Sequence, residues 1–189
     1  MPSSEFDLQY LEASLGLLED YLLSQELYWQ LGANPPRGEP AFPSLTLGAV
    51  LLAQARANAR RLAAGHEKRF TRINQQIDQI HKKWPVAWEK KARQEYSARL
   101  KLWRNFLEEY RQSPKENANR YAYEVGRRVM LALLEKHAAE IPHEEEAMIS
   151  GLDGLLNAAL DQGDFIWENE VAGGFSKNQY PYLFGKLKE

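Results

Sequence analysis

Apolar residues recur at spacings of three and four along most of this chain, the period of an amphipathic helix. Leu8, Leu11, Leu15, Leu18 and Leu22 form the first such face, with Glu12, Glu19 and Asp20 turned to solvent. Ser4 followed by Asp7 has the form of a capping box, so a helix is expected to open there. Ser24 caps a short second segment through Leu27, Trp29 and Leu31, which Gly32 stops. Residues 32–43 hold four prolines and two glycines and predict a loop.

Ser44 or Thr46 opens the next helix, and no proline interrupts the pattern before Trp84. Ala59, Ala63, His66, Phe70, Ile73, Ile77, Ile80 and Trp84 form a heptad seam that is apolar except at His66. Gly65, inside this run, is a candidate kink. Pro85 disfavours helical geometry at Trp84, and a new helix is expected to carry Pro85 in its first turn. Its stripe is Trp88, Ala92, Tyr96, Leu100, Trp103, Leu107 and Tyr110. A hairpin of 44–83 on 85–112 is preferred over a bent rod, because two long apolar faces then bury each other.

Ser113-Pro114-Lys115-Glu116 reads as a further capping box, followed by Tyr121, Val125, Val129, Leu133 and Leu134. Pro142 opens a last helix, with Glu144, Glu145 and Glu146 in the turn where the helix dipole favours carboxylates. Its buried face is Met148, Leu152, Leu155, Leu156, Ala159 and Leu160, and Gly163 is its expected stop. Periodicity then ends, yet Phe165, Trp167, Phe175, Tyr180, Tyr182 and Phe184 remain, which predicts an irregular arm packed on the bundle. The expected fold is therefore all-α. It is one domain of about five main helices: an N-terminal helical segment 1–31, a loop 32–43, a bundle core 44–163 and an aromatic arm 164–189.

Charge changes this picture. The net charge is −2, but residues 1–55 and 121–189 each carry −6 while 56–120 carry +10. A basic helical surface can follow a phosphate backbone, so Arg60, Arg69, Arg72, Lys90, Lys91 and Arg93 are candidate polyanion-binding residues. The competing reading is that the acidic flanks neutralise the basic faces, within the fold or across a dimer. The aromatics fall on the apolar stripes, which favours core over base stacking.

Arg61-Leu62-Ala63-Ala64-Gly65-His66 resembles the Arg-x4-His motif of the HEPN ribonucleases, which are helical bundles. The resemblance covers six residues and implies His66 as acid/base and Arg61 on the scissile phosphate. The alternative for His66 is the polar member of a helix seam that sets register. Glu140 and His143 have the Glu-x-x-His spacing of di-iron bundles, but one such motif cannot supply that ligand set and Pro142 interrupts it. No metal and no cofactor are expected. Zero cysteines exclude disulfides and a Cys nucleophile, and no phosphate loop or Gly-x-Ser-x-Gly elbow is present.

The N-terminus lacks the apolar core of a secretory signal, and no window approaches a membrane span, so a cytoplasmic location is the default. The expected function is a non-enzymatic helical interaction or scaffolding protein, homo-oligomeric through the basic hairpin, with nucleic-acid binding or processing through 56–120 as the alternative. A third possibility is a small-molecule pocket lined by Trp84, Trp88, Trp103 and the C-terminal aromatics.

Overall fold

The computed structural model describes residues 2–60 and 64–189. Eight helices lie among the described residues: α1 (Ser4–Leu15), α2 (Leu18–Leu23), α3 (Leu47–Ala59), α4 (Ala64–Lys83), α5 (Pro85–Gln112), α6 (Pro114–Asn117), α7 (Tyr121–Glu135) and α8 (His143–Ala159). The all-α class holds. The aromatic arm adds a two-stranded antiparallel sheet, β1 (Leu160–Phe165) with β2 (Phe184–Leu187), and short 3-10 turns over 169–174 and 181–183.

The α5 stripe is buried along its whole length, from Trp88 and Ala92 to Leu107 and Tyr110, with Phe106 beside it. Packed on it is α7, through Tyr121, Val125, Val129, Leu131 and Leu134, and on these two lies α3. The N-terminal cap falls one residue earlier than expected: the Ser3 hydroxyl accepts from the Phe6 amide at 3.1 Å. Asp7 is not a capping group, for it is fully buried against Arg56 of α3 and Arg60 just beyond it. The Pro/Gly loop is held by a bridge between Trp29 and Leu45, and sets Phe42 edge-on to Phe6 at 4.8 Å.

The expected long helix over 44–83 is two helices. α3 stops at Ala59 because Arg60 turns extended, with φ −76° and ψ 146°, and buries its guanidinium against Asp7 and the Pro2 carbonyl. Gly65 lies in the first turn of α4. The fold-back also falls before α4, not at Trp84. Partners along α3 advance from Asn74 on Gln54, to Glu95 on Gly48, to Arg99 on Thr46. So α4 and α5 together run antiparallel to α3 as one rod bent at Trp84, in place of the hairpin.

Pro85 permits this because a proline in the first turn forfeits no helical bond. The Trp84 amide still donates to Ile80, and Trp88 to Trp84, so only the Trp84 backbone, at ψ 51°, departs from the helix. The seam residues Phe70, Ile73 and Ile77 are buried inside this chain, and α4 packs on α1.

Two further expectations shift. Ser113 makes no side-chain cap; α6 is a single turn, and a 3-10 turn leads into α7. α8 ends at Ala159, before Gly163, because Leu160 enters the strand and pairs with Leu187. The arm is anchored by buried Trp167, Val171, Phe175, Tyr180 and Tyr182. Gly174 lies so close to Ala59 that any side chain there would overlap it. No helix among the described residues is long and apolar enough to cross a membrane.

Candidate ligand pocket

A cavity of about 350 Å³ opens where α1, the Pro/Gly loop, α3, α5, α7 and the arm meet. Its walls are apolar and aromatic: Phe6 and Tyr10 from α1, Tyr28 from the segment before the loop and Pro43 from its end, Leu52 from α3, Tyr123 and Met130 from α7, and Trp167. Tyr28 is 49% exposed and Tyr123 is 82% exposed, whereas Phe6, Tyr10 and Trp167 are buried. Three arginines, Arg56, Arg99 and Arg127, also line the cavity, and no aspartate or glutamate does.

Each of these arginines is held by a carboxylate behind the wall. Asp7 accepts from Arg56 Nε at 3.1 and 3.2 Å and from Nη2, and Arg60 binds it from the other side. Glu95, fully buried, accepts from the Gly48 amide at 2.8 Å and from Arg99 Nε at 2.5 Å. Arg99 Nη2 then reaches Thr46 Oγ1 at 2.8 Å, the hydroxyl that caps α3. Glu124, also buried, is paired with Arg127 and with Arg120. Gly48 is where it is for a steric reason: a Cβ there would stand 2.6 Å from Glu95 Oε1 and 3.2 Å from Leu134.

Buried ion pairs of this kind are costly to break, about 3–5 kcal/mol when one partner is removed, so they hold the arginines in place. Arg56 Nη1 and Arg99 Nη1 have no hydrogen-bond partner among the described residues, and neither is sealed from solvent. Burial raises Tyr10 above the ordinary phenol range, so it is a neutral donor, here to the Ser44 carbonyl at 3.3 Å. Rigid donors in an apolar cavity suit an anionic or strongly accepting group on an apolar body.

Gly126 lines the same cavity from the middle of α7. A Cβ there meets nothing within 4 Å, and its backbone needs no positive φ. Packing does not require this glycine, which costs about 1 kcal/mol relative to alanine inside a helix. What its absent side chain leaves is room in the cavity.

A polar cleft of about 310 Å³ lies on the other side of α3, between it and α4. His81 stacks on Trp88 at 4.5 Å, and the His137 ring stands edge-on to His81 at 5.6 Å. Gln54, Asn58, Asn74 and Asp78 complete its polar walls. No cluster of three or more metal-ligating side chains occurs among the described residues.

The polyanion-binding candidates do not come together. Arg60 is buried on Asp7. Arg69 clamps Glu5 and Glu12, which holds the Glu12 carboxyl below its ordinary range. Lys91 is 2% exposed and donates to the carbonyls of Ser24 and Glu26; burial pushes its ammonium pKa down. Arg93 pairs with Glu145 of α8 at 3.0 Å. Arg72 flanks Glu12, and Lys90 borders a surface cleft near α2.

Arg61, the arginine of the Arg-x4-His motif, lies outside the described residues. His66 is part-exposed, 3.6 Å from Glu5, and so is not a buried seam residue. Trp103, expected as a pocket residue, is packed core against Phe106, while Trp167 of the arm does line the cavity. Comparison of the chain with family models, curated proteins and solved structures finds no match to any of them.

Proposed function

We propose that this chain is a binding protein whose site is the arginine-bearing aromatic pocket, and that it takes up a small ligand with an apolar body and an anionic or accepting head. One observation carries the reading: three arginines, each paired with a buried carboxylate outside the wall, line a cavity to which no aspartate or glutamate contributes. Gly126 supplies the test. Gly126→Ala is expected to raise stability by about 0.5–1 kcal/mol, because it adds helix propensity without a clash. Gly126→Phe is expected to fold and to abolish one-site binding of anilinonaphthalene sulfonate, followed by dye fluorescence with circular dichroism as the folding control. Equal dye binding by Gly126→Phe and wild type removes this reading.

A second reading keeps the helical interaction module that assembles as a homo-oligomer. Favouring it, Leu23 and Val86 are 53% and 76% exposed beside Trp84, around an open cleft at the corner of α2 and α5. Light scattering is then expected to show a dimer that Val86→Glu returns to monomer. A wild-type monomer at tens of micromolar, about the working range of weak dimers, counts against it.

The polyanion alternative has less support, since Arg60, Arg69, Lys91 and Arg93 already have partners in this chain.

A further inference from the structure

The pocket offers hydrogen-bond donors but little net charge. Arg56, Arg99 and Arg127 reach the cavity already paired with Asp7, Glu95 and Glu124. Asp7 and Glu124 each take one arginine more, Arg60 and Arg120, and Arg120 has Glu109 at 2.9 Å. Positive charge is thus largely cancelled behind the wall before a ligand arrives. The donors are not used up, because Arg56 Nη1 and Arg99 Nη1 remain unpartnered.

This arrangement separates ligands by charge. A carboxylate spreads one negative charge over two acceptor oxygens and gains charge-assisted hydrogen bonds from the free N–H groups. A dianion gains the same bonds, yet brings a second charge into an apolar cavity where nothing is left to compensate it. A neutral amide keeps one acceptor and loses the charge assistance. The body of the ligand is set by the rings of Tyr28, Tyr123 and Trp167, which favour an aromatic surface, and by a volume near the small end for ligand cavities.

Resting on the ligand-pocket reading above, we propose that the site selects a monoanionic aromatic carboxylate and discriminates against phosphate monoesters and dicarboxylates of the same body. The structure assigns this selectivity to pre-paired arginines, not to the shape of the cavity.

Calorimetry on the full chain tests it with four compounds on one ring system: naphthalene carboxylate, naphthalene dicarboxylate, naphthyl phosphate and naphthalene carboxamide. The monocarboxylate is expected to bind tightest, with each of the others weaker by roughly tenfold or more. In Arg127→Gln, at a partly exposed position, the monocarboxylate is expected to weaken roughly tenfold while the carboxamide changes little. Circular dichroism confirms that the variant folds, and Tyr123→Ala, which loses ring contact only, is expected to weaken all four compounds alike. Binding of the phosphate or dicarboxylate as tight as the monocarboxylate overturns the selectivity while leaving the pocket reading in place. Equal binding of the carboxamide does the same. No binding by any of the four overturns both.

Discussion

His137 shows how a single residue couples the polar cleft to stability. Burial, with His81 and Lys136 close by, holds its imidazole pKa below the ordinary value. Around it stand Trp88 of α5 and His81 of α4, with Asp78 farther along the cleft wall; the polar side chains that α3 contributes there, Gln54 and Asn58, are uncharged amides. In the unfolded chain this imidazole takes a proton near pH about 6.5, and in the folded chain it does so only at lower pH. The folded state therefore binds fewer protons over that interval. Stability is complete above the unfolded pKa and is lost as pH falls through it toward the folded one. Urea unfolding at pH about 7.5 and about 5.5 is expected to show a drop in midpoint that His137→Asn reduces. An equal drop in both proteins would place the acid sensitivity elsewhere. His137 was not legible as part of a cluster, because His81 and His137 belong to different helical patterns and are brought together only by the packing of both rings on Trp88 and on each other. Lys91, Glu95 and Arg99 teach the same lesson from the other side. They stand one position before Ala92, Tyr96 and Leu100, on the flank of the buried stripe, and all three are buried. Helical spacing gave their face, but not the partners on α3 and in the loop that make burial tolerable.

At the scale of elements, helices whose apolar residues face one neighbour are legible, as α5 and α7 are. Breaks set by distant contacts are not. α3 ends at Arg60, whose guanidinium is paired with Asp7, 53 positions earlier, and no local signal marks that. Pro85 has the opposite character: it is a strong local signal whose effect is small, since the hydrogen bonds on both sides of Trp84 survive. The result is a bent rod along α3, and the cleft and the pocket lie on the two sides of α3 as a consequence. In the arm, the six aromatics announced packing correctly, but the pairing of Leu160 with Leu187 joins residues too far apart for periodicity to reveal. The pocket itself is assembled from six segments, so its arginines and tyrosines share no spacing in the chain. Gly126 was its one local trace, a glycine in the middle of an otherwise regular helix.

For the whole molecule, the three charge blocks are the most conspicuous feature of the sequence, and the fold pairs part of them with one another. The acidic N-terminal block lies on the basic centre through Asp7 with Arg56 and Arg60, Glu5 and Glu12 with Arg69, and Glu19 with Lys83. The acidic C-terminal block meets the centre through Glu145 with Arg93, and Asp153 pairs with Arg128. A polyanion would have to compete with these carboxylates, which are tethered to the same chain and so present at high effective concentration. The pair with Asp7 also buries Arg60, which no backbone phosphate can reach without displacing the N-terminal helix. Fluorescence anisotropy with single- and double-stranded DNA and RNA, from about 50 mM to about 200 mM salt, is therefore expected to show no binding with the steep salt dependence of counterion release. If such binding appears, and Lys90→Glu or Arg72→Glu lowers its salt slope, the exposed remainder of the basic block is a working surface. The internal pairing would then orient that surface instead of cancelling it.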